Sequence, residues 1–357
     1  MSIVAHAAAA PSRLTQPREA IASFRRRHAW WASTWVTVDL GLYLALLIAV
    51  VYTPPACRPL VSIALAFVIA RLFVLGHDAC HGSMFASRRA NQIVGRLTFL
   101  PSFTPFSLWD LAHNRTHHAF TNLKGYDYVW TPMSLTEYRA APRWRRVMER
   151  VYRTVPGHGL YYAVEIYRAK LIFPSRAHVP EPRPEYRRDS LAVTAFAAVQ
   201  LAGYAAAAHL TRQPAWSLVA FGVALPFVLW NALMGFAIFL HHTHPDVAWF
   251  DDLDQWRTAD PQLRNSVHVV LPFRLDAWLH HIMDHTAHHI DPLIPLFELP
   301  DAQGTLEQHF DARVHTWTPA VFLNTVRICK LYDYDAHRWL DFKGRITAEL
   351  RGVRRRS

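Results

Sequence analysis

The chain is short of cysteine and of charge. Its 357 residues include three cysteines, Cys57, Cys80 and Cys329, and no CxxC pair. That leaves no disulfide framework and no paired-cysteine metal or redox motif. Cys80 reads as a small apolar filler, the usual state of a free thiol. Charged residues make up 18% of the sequence and hydrophobic ones 52%. Soluble chains carry roughly a quarter charged, so this balance favours a membrane protein with sizeable polar parts. The first twenty residues are Ala-rich and polar and lack an apolar h-region, so they read as a disordered tail, not a signal peptide. There is no internal repeat. The net charge of +11 could suggest nucleic acid; on a chain this apolar it marks the cytoplasmic side of a membrane protein instead.

Long hydrophobic runs are present. Four cover 36–51, 60–75, 191–210 and 216–240, each near the ~17–25 residues that cross a bilayer. Short connectors, 52–59 and 211–215, join them into two helical hairpins. Of 38 Lys and Arg, only Arg58 and Arg212 fall in those connectors. The N-terminal, middle and C-terminal regions are therefore expected in the cytoplasm, and every histidine cluster falls on that side. Two weaker segments, 93–109 (broken by Pro101 and Pro105) and 161–173, read as interfacial helices. The stretch 176–188, with Pro180, Pro182 and Pro184, reads as a linker. The expected architecture is an all-α integral membrane fold. A cytoplasmic N-terminal tail, 1–29, precedes a membrane domain, 30–331, whose four transmembrane helices carry a cytoplasmic helical cap. A basic C-terminal tail, 332–357, follows.

Histidine is the other abundance. His77 and His81 stand in HDACH; His113, His117 and His118 in HNRTHH; His241, His242 and His244 in HHTHP; His285, His288 and His289 in HTAHH. An i, i+4 pair shares one helix face, and adjacent histidines splay about 100° apart. So many imidazoles exceed one zinc site, which takes four ligands, and suit two redox metals. A nitrogen-rich di-iron centre can reduce O₂ and attack an unactivated C–H bond, chemistry that side chains alone do not supply. At a membrane edge its substrate would be an acyl chain. Asp78, Asp246, Asp284 and Asp291 lie among the boxes and are candidates to accept the second imidazole N–H; beside prolines, Asp246 and Asp291 can also simply start turns. His6, His28, His158, His178, His209 and His337 stand alone and are assigned no role.

The runs GHDACHGSMF, HNRTHHAFTNLKGYDYVWTP, FLHHTHPD and DHTAHHIDPLIPLFEL resemble the membrane fatty acid desaturases. They are most similar to the delta-12 (omega-6) acyl-lipid branch, over about 30–331. The resemblance implies two iron ions, O₂ as oxidant and a cis double bond as product. It implies His77, His81, His113, His117, His118, His285, His288 and His289 as ligands, with His242 or His244 as the further histidine after the fourth span. Asp78, Asp284 and Asp291 are the expected carboxylate supports. The second box is HxxxHH, where the family often has HxxHH; membrane alkane hydroxylases share the longer spacing. A hydroxylase or acetylenase on the same scaffold is thus the alternative. A histidine-rich metal transporter is a third reading, disfavoured because the spans hold few ionisable groups.

The chain has no HPGG motif and no flavin or nicotinamide fingerprint. A separate electron donor, ferredoxin or cytochrome b5, is implied, steered by a basic face. The expected location is a bacterial inner (plasma) membrane. Phe103, Phe106, Trp109 and Trp278 are candidates to line an acyl tunnel or to anchor at the interface.

Overall fold

The computed structural model describes residues 15–350. The Ala-rich start and the arginines at 354–356 lie outside them. Among the described residues, four helices are long and apolar enough to cross a membrane: Ala29–Tyr52, Pro55–His81, Pro184–Thr211 and Ala215–His242. Each overruns its hydrophobic stretch. The second is extended by the HDACH box, and Gly82, at φ 74°, stops it in the left-handed conformation that glycine adopts without strain. The fourth runs on through His241 and His242, after a π-helical turn at Ala220–Ala224.

The chain divides into two compact units. One, 27–112 with 162–234, holds the apolar helices. Leu44, Ile48, Leu60, Ile63, Leu191, Val199 and Val228 are exposed on them, as an outer face destined for lipid would be. Inside, Arg71 Nε donates to Asp39 Oδ1 at 2.9 Å, so a buried guanidinium of the second helix is neutralised by a buried carboxylate of the first. Arg58 is buried, with Nη1 donating to Ser217 Oγ at 2.7 Å and Nη2 to Gln213. Val50, Tyr204, Ala208 and Leu218 pack as one cluster. The helix Arg88–Phe99 lies against the second long helix. Gly76 permits this: a Cβ there would fall 2.4 Å from the Phe99 ring. Phe106 and Trp109 are buried in that aromatic packing, and Phe103 rests on Phe196 and Phe227.

The other unit comprises residues up to 26, 113–161 and 235 onward. It departs from the all-α expectation. Val267–Val270 (β1) pairs in parallel with Arg313–Thr316 (β2). Leu331–Asp333 (β3), Arg338–Leu340 (β4) and Ile346–Glu349 (β5) form an antiparallel sheet. The expected C-terminal tail is thus folded up to β5. Its Tyr332 and Trp339 are buried with Trp249 and Cys329. The expected N-terminal tail is also partly ordered. Thr15–Ile21 is helical, and Arg25 and Arg26 donate to Asp291 (2.5 Å) and Glu298 (2.6 Å). Trp278 is largely exposed, which suits an anchor better than a tunnel wall.

Candidate metal centre

Four histidines from three segments meet inside the second-described unit. They are His117, His242, His285 and His289, all buried, with ligand nitrogens within 4.8 Å of one another. His242 ends the fourth long helix, while His285 and His289 stand one turn apart on the short helix His285–Ile290. His242 Nε2 and His289 Nε2 each lie 3.0 Å from His285 Nε2. A neutral imidazole nitrogen carries either one proton or one lone pair, so His285 Nε2 can satisfy only one of these neighbours by hydrogen bonding. A cation at the centre satisfies all of them.

The outer nitrogens set the tautomers. His117 Nδ1 is 3.1 Å from both oxygens of the buried Asp127 carboxylate, which also accepts from the backbone N–H of Asn122 (2.8 Å) and Val129 (3.0 Å). His117 therefore donates from Nδ1 and turns a lone pair inward at Nε2. Thr121 Oγ1 donates to the His117 carbonyl at 2.9 Å, so its contact with His289 Nδ1 at 3.2 Å is one it accepts. His289 Nε2 is thereby also left as an acceptor. Burial holds His285 and His289 well below the usual imidazole pKa, and neighbouring histidines push the same way. Both are therefore neutral imidazoles at pH 7.

A second set gathers beside the first. His113 Nε2 and His288 Nε2 lie 3.0 and 3.1 Å from His118 Nε2. The adjacent pairs are split, His117 and His289 facing one cluster and His118 and His288 the other, as the 100° splay requires. The box His113–His117 is π-helical, and His118 N–H bonds to the His113 carbonyl at 3.0 Å. That wide turn stacks residues five apart, so the longer HxxxHH spacing still delivers His113 and His118 to one place.

His77 and His81 belong to the apolar unit. They lie edge to face at the end of its second helix, ring centroids 4.8 Å apart. Asp78, between them, has Oδ1 2.5 Å from the Ser83 hydroxyl. The other candidates fall elsewhere. His244 stands outside the four-histidine group, stacked on His315 at 3.7 Å, with Nδ1 accepting from Asp246 N–H. The fourth helix has ended before it, and the His244 carbonyl accepts from Trp339 Nε1 at 3.1 Å. Asp291 is taken by Arg25, and Asp284 accepts from His268 Nε2 at 3.2 Å. Burial pushes the Asp284 carboxyl up to about 6, against the pull of His268. The supports actually in contact, Asp127 and Thr121, were not singled out from sequence. Asp127 sits in GYDYVW ten residues past His117, and nothing in that spacing marks it.

The donors fit two transition-metal ions. They are imidazoles, with acceptor nitrogens turned inward wherever the tautomer is fixed.

Comparison with known proteins agrees. The family model for fatty acid desaturase matches residues 52–320, a stretch that holds every histidine box. The chain is 27% identical over 312 residues to the sn-1 oleoyl-lipid 12-desaturase of Synechocystis sp., covering 85% of this chain and 83% of that one. It is 26% identical over 328 residues to the enzyme of the same name from Anabaena variabilis, covering 90% and 89%. It is 27% identical over 309 residues to the chloroplastic omega-6 fatty acid desaturase of Brassica napus, covering 85% and 66%. The chain is an oxidoreductase and belongs to the fatty acid desaturase family.

Proposed function

We propose that this enzyme is a di-iron, O₂-dependent desaturase that places a cis double bond in a lipid-linked acyl chain at the delta-12 (omega-6) position. The observation that carries the reading is the pair of histidine clusters, one of four and one of at least three imidazoles, converging through nitrogens 3.0–3.1 Å apart. Two ions need two such sets. His77 and His81 are proposed as further iron ligands, because they form the first box of the family motif. His242, not His244, is proposed as the histidine after the fourth span.

Two irons bound there would supply O₂ activation and removal of hydrogen from an unactivated C–H bond. The remaining work belongs to the chain. Neutral imidazoles keep the ligand set free of protons. Asp127 and Thr121 fix ring orientation. In the net reaction two hydrogens leave adjacent carbons, a C=C bond forms, and O₂ takes those hydrogens with two further electrons and two protons to give two waters. A separate donor, ferredoxin or cytochrome b5, delivers the electrons to a basic face. The four long helices are proposed to cross a bacterial inner membrane as two hairpins, with both termini and the histidine-bearing unit in the cytoplasm. The relatives' names, oleoyl-lipid 12-desaturase, support a mono-unsaturated C18 lipid as substrate.

The HxxxHH spacing favours one second reading, hydroxylation. A single experiment separates them: expression with a donor in a host that makes mono-unsaturated lipids, under ¹⁸O₂. The expected product is a di-unsaturated C18 chain free of label, abolished by His118→Ala or His289→Ala. Labelled oxygen retained in the main lipid product would make the enzyme a hydroxylase.

A further inference from the structure

We propose a third divalent-cation site, separate from the two histidine clusters, built by Asp276, His281 and Asp284. His281 Nδ1 lies 3.7 Å from Asp276 Oδ2 and 3.7 Å from Asp284 Oδ2. Those separations are too long for hydrogen bonds and suit ligands arranged around an ion; the three ligand atoms lie within 4.8 Å of one another. Two of them are buried and have no hydrogen-bond partner: His281 Nδ1 and Asp284 Oδ2. The Asp284 side chain is only 6% exposed. A carboxylate oxygen buried without a partner is costly, and a cation at the centre of the group removes that cost.

The surroundings hold the carboxylate for this role. Asp284 is the residue before the helix His285–Ile290, yet its side chain makes no capping bond there. Its Oδ1 accepts from His268 Nε2 at 3.2 Å, and His268 Nδ1 lies 2.6 Å from Glu307 Oε1. This carboxylate–imidazole–carboxylate chain orients Asp284 as outer partners orient metal ligands elsewhere. His280 and His281 are both left-handed, at φ 53° and 60°, which carries the His281 ring back over the segment that begins with Asp276. The mouth is open, for Asp276 and His281 side chains are 28% and 25% exposed.

One imidazole with two carboxylates suits manganese(II), iron(II) or zinc(II) better than calcium or magnesium, which prefer oxygen alone. Three protein ligands leave positions for water, so the ion is exchangeable. Its binding would tie 276 to 284, directly before His285.

The probe is manganese(II), added to the purified full-length enzyme after its resident iron has been counted. Free manganese is followed by its electron paramagnetic resonance signal. One manganese should bind per chain with no iron released. Asp276→Asn and His281→Ala should each weaken it at least tenfold and leave the iron count unchanged. Should His281→Ala fail to accumulate, Asp276→Asn, on a partly exposed side chain, carries the test. No specific binding, equal binding in both variants, or uptake matched by iron loss would each overturn the proposal. The manganese count does not depend on desaturation, so it stands or falls apart from the activity.

Discussion

Asp127 governs His117 from outside the histidine cluster. Its carboxylate accepts from His117 Nδ1–H and is itself fixed by two backbone N–H groups, so the ring cannot turn without leaving an anchored acceptor. Partners of this kind are worth 10–100-fold in metal affinity. Asp127→Asn should therefore lose iron to a chelator about 10–100-fold more readily than the parent, without altering how much protein inserts in the membrane. Thr121→Val should act in the same direction through His289, more weakly, since a hydroxyl acceptor is replaced and no charge is lost. Iron retention equal to the parent in Asp127→Asn would mean that His117 is not a ligand.

At the scale of elements, the fourth long helix matters most, because it ends in His242. It is held at close quarters: a Cβ on Gly235 would fall 2.2 Å from the His158 carbonyl oxygen and 2.4 Å from its carbon. Both are backbone atoms and cannot swing aside. Gly235→Ala should cost about 1–3 kcal/mol by overpacking and reduce iron occupancy by displacing the helix end, as a thermal-melt shift together with an iron assay would show. A full iron count in a normally stable Gly235→Ala enzyme would contradict that coupling.

The same elements show what the sequence discloses. Four apolar runs with polar connectors mark the long helices because hydropathy is summed over many residues. The histidine boxes mark the clusters because their spacings match helix geometry. The π turns at His113–His117 and Ala220–Ala224 leave no such trace; one widened turn adds a residue without changing the apolar pattern. The strands are three or four residues long, too short for alternation to register, and β1 finds β2 more than forty residues away. His242 and His244 are set apart by where a helix stops, the least legible feature of a sequence. Asp127, in a turn ten residues past its partner, carried no signal at all.

At the scale of the whole molecule, charge and apolar surface fit one orientation. Between the first and second apolar runs and between the third and fourth, the only Lys or Arg residues are Arg58 and Arg212, and Arg58, at the start of the second long helix, is buried in pairing with Ser217 and Gln213. Nearly all other cations lie in the N-terminal, middle and C-terminal regions, which the positive-inside rule would keep in the cytoplasm under the proposed four-span arrangement. Reporters fused after Pro55 and after Gln213 should both read as external. A cytoplasmic reading at either point would break the four-span arrangement.

The central claim is that two irons sit in two sets of histidines. The direct measurement is metal content with iron X-ray absorption on purified, active enzyme, compared with His242→Ala and His118→Ala. Two irons per chain with predominantly nitrogen neighbours are predicted, and each variant should lose iron, His242→Ala from the four-histidine set and His118→Ala from the other. Full activity from an enzyme holding a single metal ion, or two irons retained in both variants, would contradict the account.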